Sequence, residues 1–213
     1  MSFDVERHLG QVDRSVADLE KDGKAARAVT LSRTYDTDID DLWDALTTAE
    51  RIPRWFLPIE GDLRLGGHFQ FKGNAGGEIT ECEPPEHLGA TWEMQGEVSW
   101  VDVRLMAEAE NRARLTLTHT AIVRPFWDQF GPGAVGVGWE LGLVGMDLYL
   151  SDPSVPKVDE EVFAKSPEGK TFMNRSAREW GKADIARGED PAQAYAAAER
   201  TANFYTGESP SQE

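Results

Sequence analysis

Among the four imidazoles of this 213-residue chain, His119 sits where chemistry could use it. Residues 112–123 alternate, so Leu115, Leu117 and His119 share one face of a strand, while Arg114, Thr116 and Thr118 occupy the other. A neutral imidazole on an apolar face can donate to a ligand carbonyl or accept a proton. A general base usually needs a carboxylate to orient it, and this strand carries none on the inward face. That weighs toward a structural, backbone-bonded histidine and leaves ligand contact open.

The other reactive side chains form no recognisable set. His8, His68, His87 and His119 never fall at a metal-ligand spacing, and no His-Glu-x-x-His is present, so no metal is expected. His68 and His87 lie on or beside turns and read as solvated. The single Cys82 excludes an internal disulfide and any thiolate-built zinc site. Gly133-Ala134-Val135-Gly136-Val137-Gly138 lacks the third glycine and the lysine of a nucleotide loop, and it sits inside a helical pattern. Asn174-Arg175-Ser176 has the form of a glycosylation triplet, without meaning in a chain that shows no secretion signal. Glu78, Glu81, Glu83, Glu86, Glu93 and Glu97 read as a solvated outer sheet face. Strict alternation would turn Glu78 or Glu81 inward unless a bulge intervenes; an inward carboxylate would need a partner, for which Arg54 and Arg33 are the candidates.

The elements that position these residues are legible from period and turn chemistry. In residues 1–27, Val5, Leu9, Val12, Val16 and Leu19 have helical spacing, whereas Asp22-Gly23 is a hairpin signal; poor alternation tips the reading to helix. Ala28–Tyr35 reads as a strand with Val29, Leu31, Arg33 and Tyr35 on one side. Asp38 caps a helix striped by Ile39, Leu42, Trp43 and Leu46, and a turn containing Pro53 presents Trp55, Phe56 and Leu57. Short strands follow at His68–Lys72, Glu78–Cys82, His87–Met94, Val98–Ala107 and Arg112–Val123, an antiparallel meander by its short connections. Gly133–Leu150 is a long apolar helix whose glycines each cost about 1 kcal/mol relative to Ala. Packing must compensate, or the helix is thin where a sheet or ligand comes close. Asp152-Pro153-Ser154-Val155-Pro156 stops it. Ser166-Pro167 and Asp190-Pro191-Ala192-Gln193 then open two amphipathic helices, the second ending near Gly207, with 208–213 expected to be disordered.

Composition narrows the function classes. Thirty-eight acids against 22 bases give a net charge of −16, which disfavours nucleic acid and anionic membrane alike. No run approaches the ~20 apolar residues of a membrane span, and the charged amino terminus lacks a signal peptide's apolar stretch. A cytoplasmic protein is expected.

The order of these features resembles a known superfamily. Val29–Tyr35 leads into Ile39–Thr47. Then come Glu50-Arg51-Ile52-Pro53-Arg54-Trp55-Phe56, Gly66-Gly67, Gly76-Gly77, Glu83-Pro84-Pro85, Thr91-Trp92, Leu115–His119 and Gly138-Trp139. Together they are similar to the START-related SRPBCC superfamily, within it the subfamily of the activator of the heat-shock chaperone ATPase. The resemblance implies an α+β helix-grip fold: a curved antiparallel sheet wrapped around a long C-terminal helix, here with an α-helical C-terminal extension. The expected organisation is a leader at 1–27, the helix-grip domain at 28–150, a linker at 151–156 and the helical extension at 157–213. It also implies a cavity between sheet and helix. Strand parity and the resemblance together propose its lining as Trp55, Phe56, Phe69, Phe71, Trp92, Met94, Val103, Leu117, His119, Trp139 and Met146.

Three functions follow as expectations: binding of a small hydrophobic or aromatic molecule, without cofactor; a protein–protein or chaperone-regulating module; or a cyclase-like or hydrolase-like enzyme using His119. For the second, the aromatic tail residues Phe172, Trp180, Tyr195, Phe204 and Tyr205 either pack inward or join two copies as a homodimer through the C-terminal helices.

Overall fold

The computed structural model describes residues 3–208; the end of the tail expected to be disordered, 209–213, lies outside them. The strands are β1 (Asp13–Lys21), β2 (Lys24–Tyr35), β3 (Ile59–Gly61), β4 (His68–Phe71), β5 (Gly76–Glu83), β6 (His87–Met94), β7 (Glu97–Ala109) and β8 (Arg112–Ile122). They form one eight-stranded sheet in the order β1-β2-β8-β7-β6-β5-β4-β3, with every pair from β3 to β8 antiparallel. The helices are α1 (Val5–Gly10), α2 (Ile39–Thr47), α3 (Pro125–Phe130), α4 (Gly133–Ser151), α5 (Glu160–Lys165), α6 (Pro167–Arg187) and α7 (Pro191–Thr206). The expected α+β helix-grip fold is present, with the curved sheet, the long helix α4 and the helical C-terminal segment.

Local chemistry explains most boundaries. Asp38 accepts from the Asp41 amide at 2.8 Å, Ser166 from the Gly169 amide at 3.0 Å, and Asp190 from the Ala192 and Gln193 amides. Gly207 closes α7 with φ of 68°. The leader corrects the sequence reading: only Val5–Gly10 is helical, and Asp13 onward is the first strand of a hairpin. Asp22 and Gly23 both have positive φ, 53° and 72°, the turn that matches strand twist. Strand pairing through that turn overrides the helical spacing of Val12, Val16 and Leu19. The short β3, α3 and α5 also went unread; none exceeds six residues, too short for a period.

The chain divides into two compact units, neither continuous in sequence. The first comprises Met1–Leu31, Ile122–Leu141 and Val158–Glu213. Its core includes Phe172, Met173 and Trp180 of α6, all essentially inaccessible, with Val137 of α4. Helix α4 carries Gly136 here because Trp180 fills the space: a Cβ at Gly136 would lie 2.2 Å from Trp180 Cε2. Tyr205 donates to the Ala134 carbonyl at 2.9 Å, and burial raises its hydroxyl to about 12. Arg14 of β1 clasps the fully buried Glu140 of α4 at 2.6 and 2.8 Å.

The second unit comprises Ser32–Ala121 and Gly142–Lys157. Arg33 and Tyr35 of β2 point into its core as their parity predicts. Arg33 pairs with Asp147 of α4 at 2.8 Å, and the Tyr35 hydroxyl donates to the Leu143 carbonyl at 3.2 Å. Burial pushes that hydroxyl's pKa up. Gly145 is required by close approach, since a Cβ there would sit 2.5 Å from the Trp55 carbonyl oxygen. The thin places in α4 are therefore filled by Trp180 in the first unit and by the Trp55 backbone in the second.

Candidate functional site

The clustered aromatic residues of the second unit come from three elements. A 3-10 turn at Ile52–Arg54 presents Trp55 and Phe56, and the Trp55 indole donates to the Ala45 carbonyl at 2.9 Å. On β4, alternation buries Phe69 and Phe71. Phe56 meets Phe71 edge-on with centroids 5.0 Å apart, and Phe71 meets Phe69 at 5.5 Å. Trp92 of β6 lies 5.5 Å from Phe71 and 6.2 Å from Phe69, distances at which ring quadrupoles attract. Ile52 and Ile79 complete this core, with Leu57, Leu88 and Ala90 packed against it.

His119 extends the cluster, its ring 6.4 Å from Trp92. It is buried on β8, opposite Val101, in the inward row Ala113, Leu115, Leu117, His119. Its Nε2 is 2.9 Å from Ser99 Oγ, and the Ser99 hydroxyl donates to the Trp92 carbonyl at 3.0 Å. A carbonyl only accepts, so the serine proton is committed there and its oxygen accepts from an Nε2–H. Burial lowers the imidazole to about 4, leaving it neutral at pH 7. Such a ring is a placed donor to Ser99, not a base aimed at the serine. Ser99 was absent from the sequence reading, although it shares inward parity with Val101, Val103 and Leu105.

An open groove of about 410 Å³ lies beside this cluster, lined by His68, Phe69, Gln70, Gly76, Gly77 and residues 93–98. Phe69 is the ring common to groove and cluster. Met94 and Val98 reach the groove as exposed apolar side chains, 48% and 45% accessible. Met94 ends the row of alternate residues Leu88, Ala90, Trp92: β6 runs out there beside the Gln95-Gly96 turn, and Met94, expected in an enclosed lining, faces solvent. Of the eleven side chains proposed from sequence, Phe69 and Met94 line the groove. Trp55, Phe56, Phe71, Trp92 and His119 lie in or beside the aromatic cluster. Val103 and Leu117 oppose each other in the β7–β8 register, and Met146 is inaccessible on α4. Trp139 is half-buried in the first unit.

One charge expectation meets the exception stated for it, a bulge, and two others are corrected. The β5–β6 register slips between Ile79 and Glu81, so Thr80 is an extra residue and Glu81 turns outward. Neither Arg54 nor Arg33 partners these glutamates: Arg54 donates to the Pro153 carbonyl and Arg33 to Asp147. His87 is not solvated but buried, with Nε2 2.5 Å from Asp102 and Nδ1 3.3 Å from Glu81.

A curved antiparallel sheet gripping a long helix, with an aromatic cluster on its inner face, defines a START-like domain. Residues 36–151 match the family described as Activator of Hsp90 ATPase homolog 1-like protein, and the chain belongs to that family. It is similar to CalU16 from Micromonospora echinospora in both a solution and a crystal structure. The solution structure is 30% identical with a TM-score of 0.70, covering 83% of this chain and 97% of that one. The crystal structure gives 29% identity and 0.65, covering 81% and 97%. EF2215 from Enterococcus faecalis, a conserved protein of unknown function, shares the fold at 15% identity and a TM-score of 0.59, covering 84% and 95%. No curated protein matches. Among the described residues no helix is long and apolar enough to cross a membrane.

Proposed function

We propose that this member of the family binds a flat hydrophobic or aromatic small molecule, in a cytoplasmic setting and without a cofactor. One observation carries the reading: an open groove, bordered by the exposed Met94 and Val98, shares Phe69 with the edge-packed aromatic cluster. Apolar side chains at a concavity edged by polar ones, here His68, Gln70, Glu93, Gln95 and Glu97, can hold a small molecule by its apolar body and orient it by its polar groups. The lining includes Glu93 and Glu97 and neither lysine nor arginine, so a neutral or amine-bearing ligand suits it better than a carboxylate or phosphate. Trp92 stands 6.2 Å from Phe69 and would report occupancy through its fluorescence.

The test is a panel of polycyclic aromatic and lipid-like compounds read by tryptophan quenching and thermal unfolding. A ligand at 100 times its Kd stabilises by ~2.7 kcal/mol, which for a chain of this size raises Tm by roughly 5–10 °C. Met94→Glu and Val98→Glu, both exposed, should abolish the shift and leave the fold intact. A panel that moves neither signal refutes the reading.

A second reading, a protein-interaction module, draws on α3 and α7. Phe126 and Phe204 are 56% and 65% exposed and sandwich Phe130 at 4.8 and 5.7 Å. Phe172 and Trp180, in contrast, are fully buried within their own unit, which removes much of the area sequence assigned to a partner. Homodimerisation through these helices predicts a doubled solution mass that Phe204→Ser returns to the monomer value; a monomeric parent chain excludes it.

A further inference from the structure

On the outer face of the sheet three neighbouring strands bring an imidazole and two carboxylates together, and we propose that Glu81, His87 and Asp102 bind a divalent transition-metal ion of the zinc, cobalt or nickel type. The register makes the site. Glu81 of β5 opposes Gly89 of β6, and Gly89 opposes Asp102 of β7, so two carboxylates flank a residue without a side chain. A Cβ at Gly89 would come within 3.1 Å of Glu81 Cβ. His87, two residues earlier on β6, shares the face of Gly89 and reaches both acids. One ligand atom from each of the three lies within 4.8 Å of the others.

The donors differ in freedom as a metal site requires. His87 is 4% exposed and fixed by the sheet, whereas the side chains of Glu81 and Asp102 are 60% and 39% exposed. Metal bonds of about 2.0–2.2 Å place neighbouring donors ~3–3.5 Å apart. The two carboxylates face different ring nitrogens, Glu81 at 3.3 Å from Nδ1 and Asp102 at 2.5 Å from Nε2. The ion therefore takes one nitrogen, and the exposed carboxylate of the other side swings across to it. The ion takes a ring nitrogen that carries no proton, so protons compete with uptake. Nitrogen with two carboxylates favours the zinc group over calcium or magnesium, which prefer oxygen alone. Arg104, 3.1 Å from Asp102, offsets one of the two negative charges and leaves the other for the cation.

The experiment uses the full chain without a polyhistidine tag, titrated with Co²⁺ by visible absorbance and with Zn²⁺ by calorimetry at pH 7.5. One equivalent should bind with Kd below ~10 μM. Glu81→Gln and Asp102→Asn, which replace accessible side chains, should each weaken it at least tenfold, and His87→Gln more. His68→Gln, an exposed imidazole on β4, should change nothing. Absence of saturable uptake, or uptake that Glu81→Gln and Asp102→Asn leave unaltered, overturns the proposal; the three side chains are then a hydrogen-bonded clasp only.

Discussion

Acidification from pH 7.5 to 5 should cost this protein stability through His119 in particular. The ring is buried between Trp92 and Ser99, and burial lowers it from 6.5 to about 4. The unfolded chain therefore takes up a proton near 6.5 that the folded state refuses. Stability from this group is complete above pH 6.5 and is lost as pH falls toward 4. At 1.36 kcal/mol per pH unit, the stretch from 6.5 to 5 removes about 2 kcal/mol. Urea unfolding followed by tryptophan fluorescence at pH 7.5, 6 and 5 measures the slope in the parent and in His119→Gln. The variant keeps a hydrogen-bonding amide for Ser99 but cannot titrate, so its loss over the same interval should be smaller by that amount. Stopping at pH 5 limits the contribution of the carboxylates common to both proteins. Parallel losses in the two proteins would refute the burial argument.

Two further perturbations test the packing. Arg33→Met leaves Asp147 buried without its guanidinium and should cost about 3–5 kcal/mol, while Arg33→Met with Asp147→Leu should restore part of it; chemical denaturation of the single and double variants decides. Gly136→Ala gains about 1 kcal/mol of helix propensity yet drives a methyl to 2.2 Å from Trp180, so Tm should fall, and a rise would show that the indole has room to move.

The large elements were legible because their signals were local or periodic. Ser166, Asp190 and Asp38 sit at caps that need only a side-chain oxygen and a nearby amide, and Val29, Leu31, Arg33 and Tyr35 share a face by parity alone. The aromatic cluster followed from the same parity, since Phe69, Phe71 and Trp92 each lie on an inward row. What escaped depends on register. The slip at Thr80 turns Glu81 outward, and only cross-strand pairing can reveal which carboxylates His87 meets. Met94 has the inward parity of Trp92, but a strand's end leaves it uncovered, and sequence does not mark where cover stops. Ser99 is a further instance: its meaning comes from a histidine twenty residues away.

Helix α4 is nearly all apolar and glycine, with Glu140 and Asp147 its only charges. A rod so greasy on every side has little reason to prefer one rotation about its axis. The two acids stand seven residues apart, two turns along one edge, and each is met by an arginine, Arg14 and Arg33. They work like two wards on a key. Sliding the rod by one residue swings both carboxylates through about 100° and strands four charges in a dry interior, at several kcal/mol each. Among the many ways oil can meet oil, each pin leaves a single setting for its own stretch of the rod within its unit.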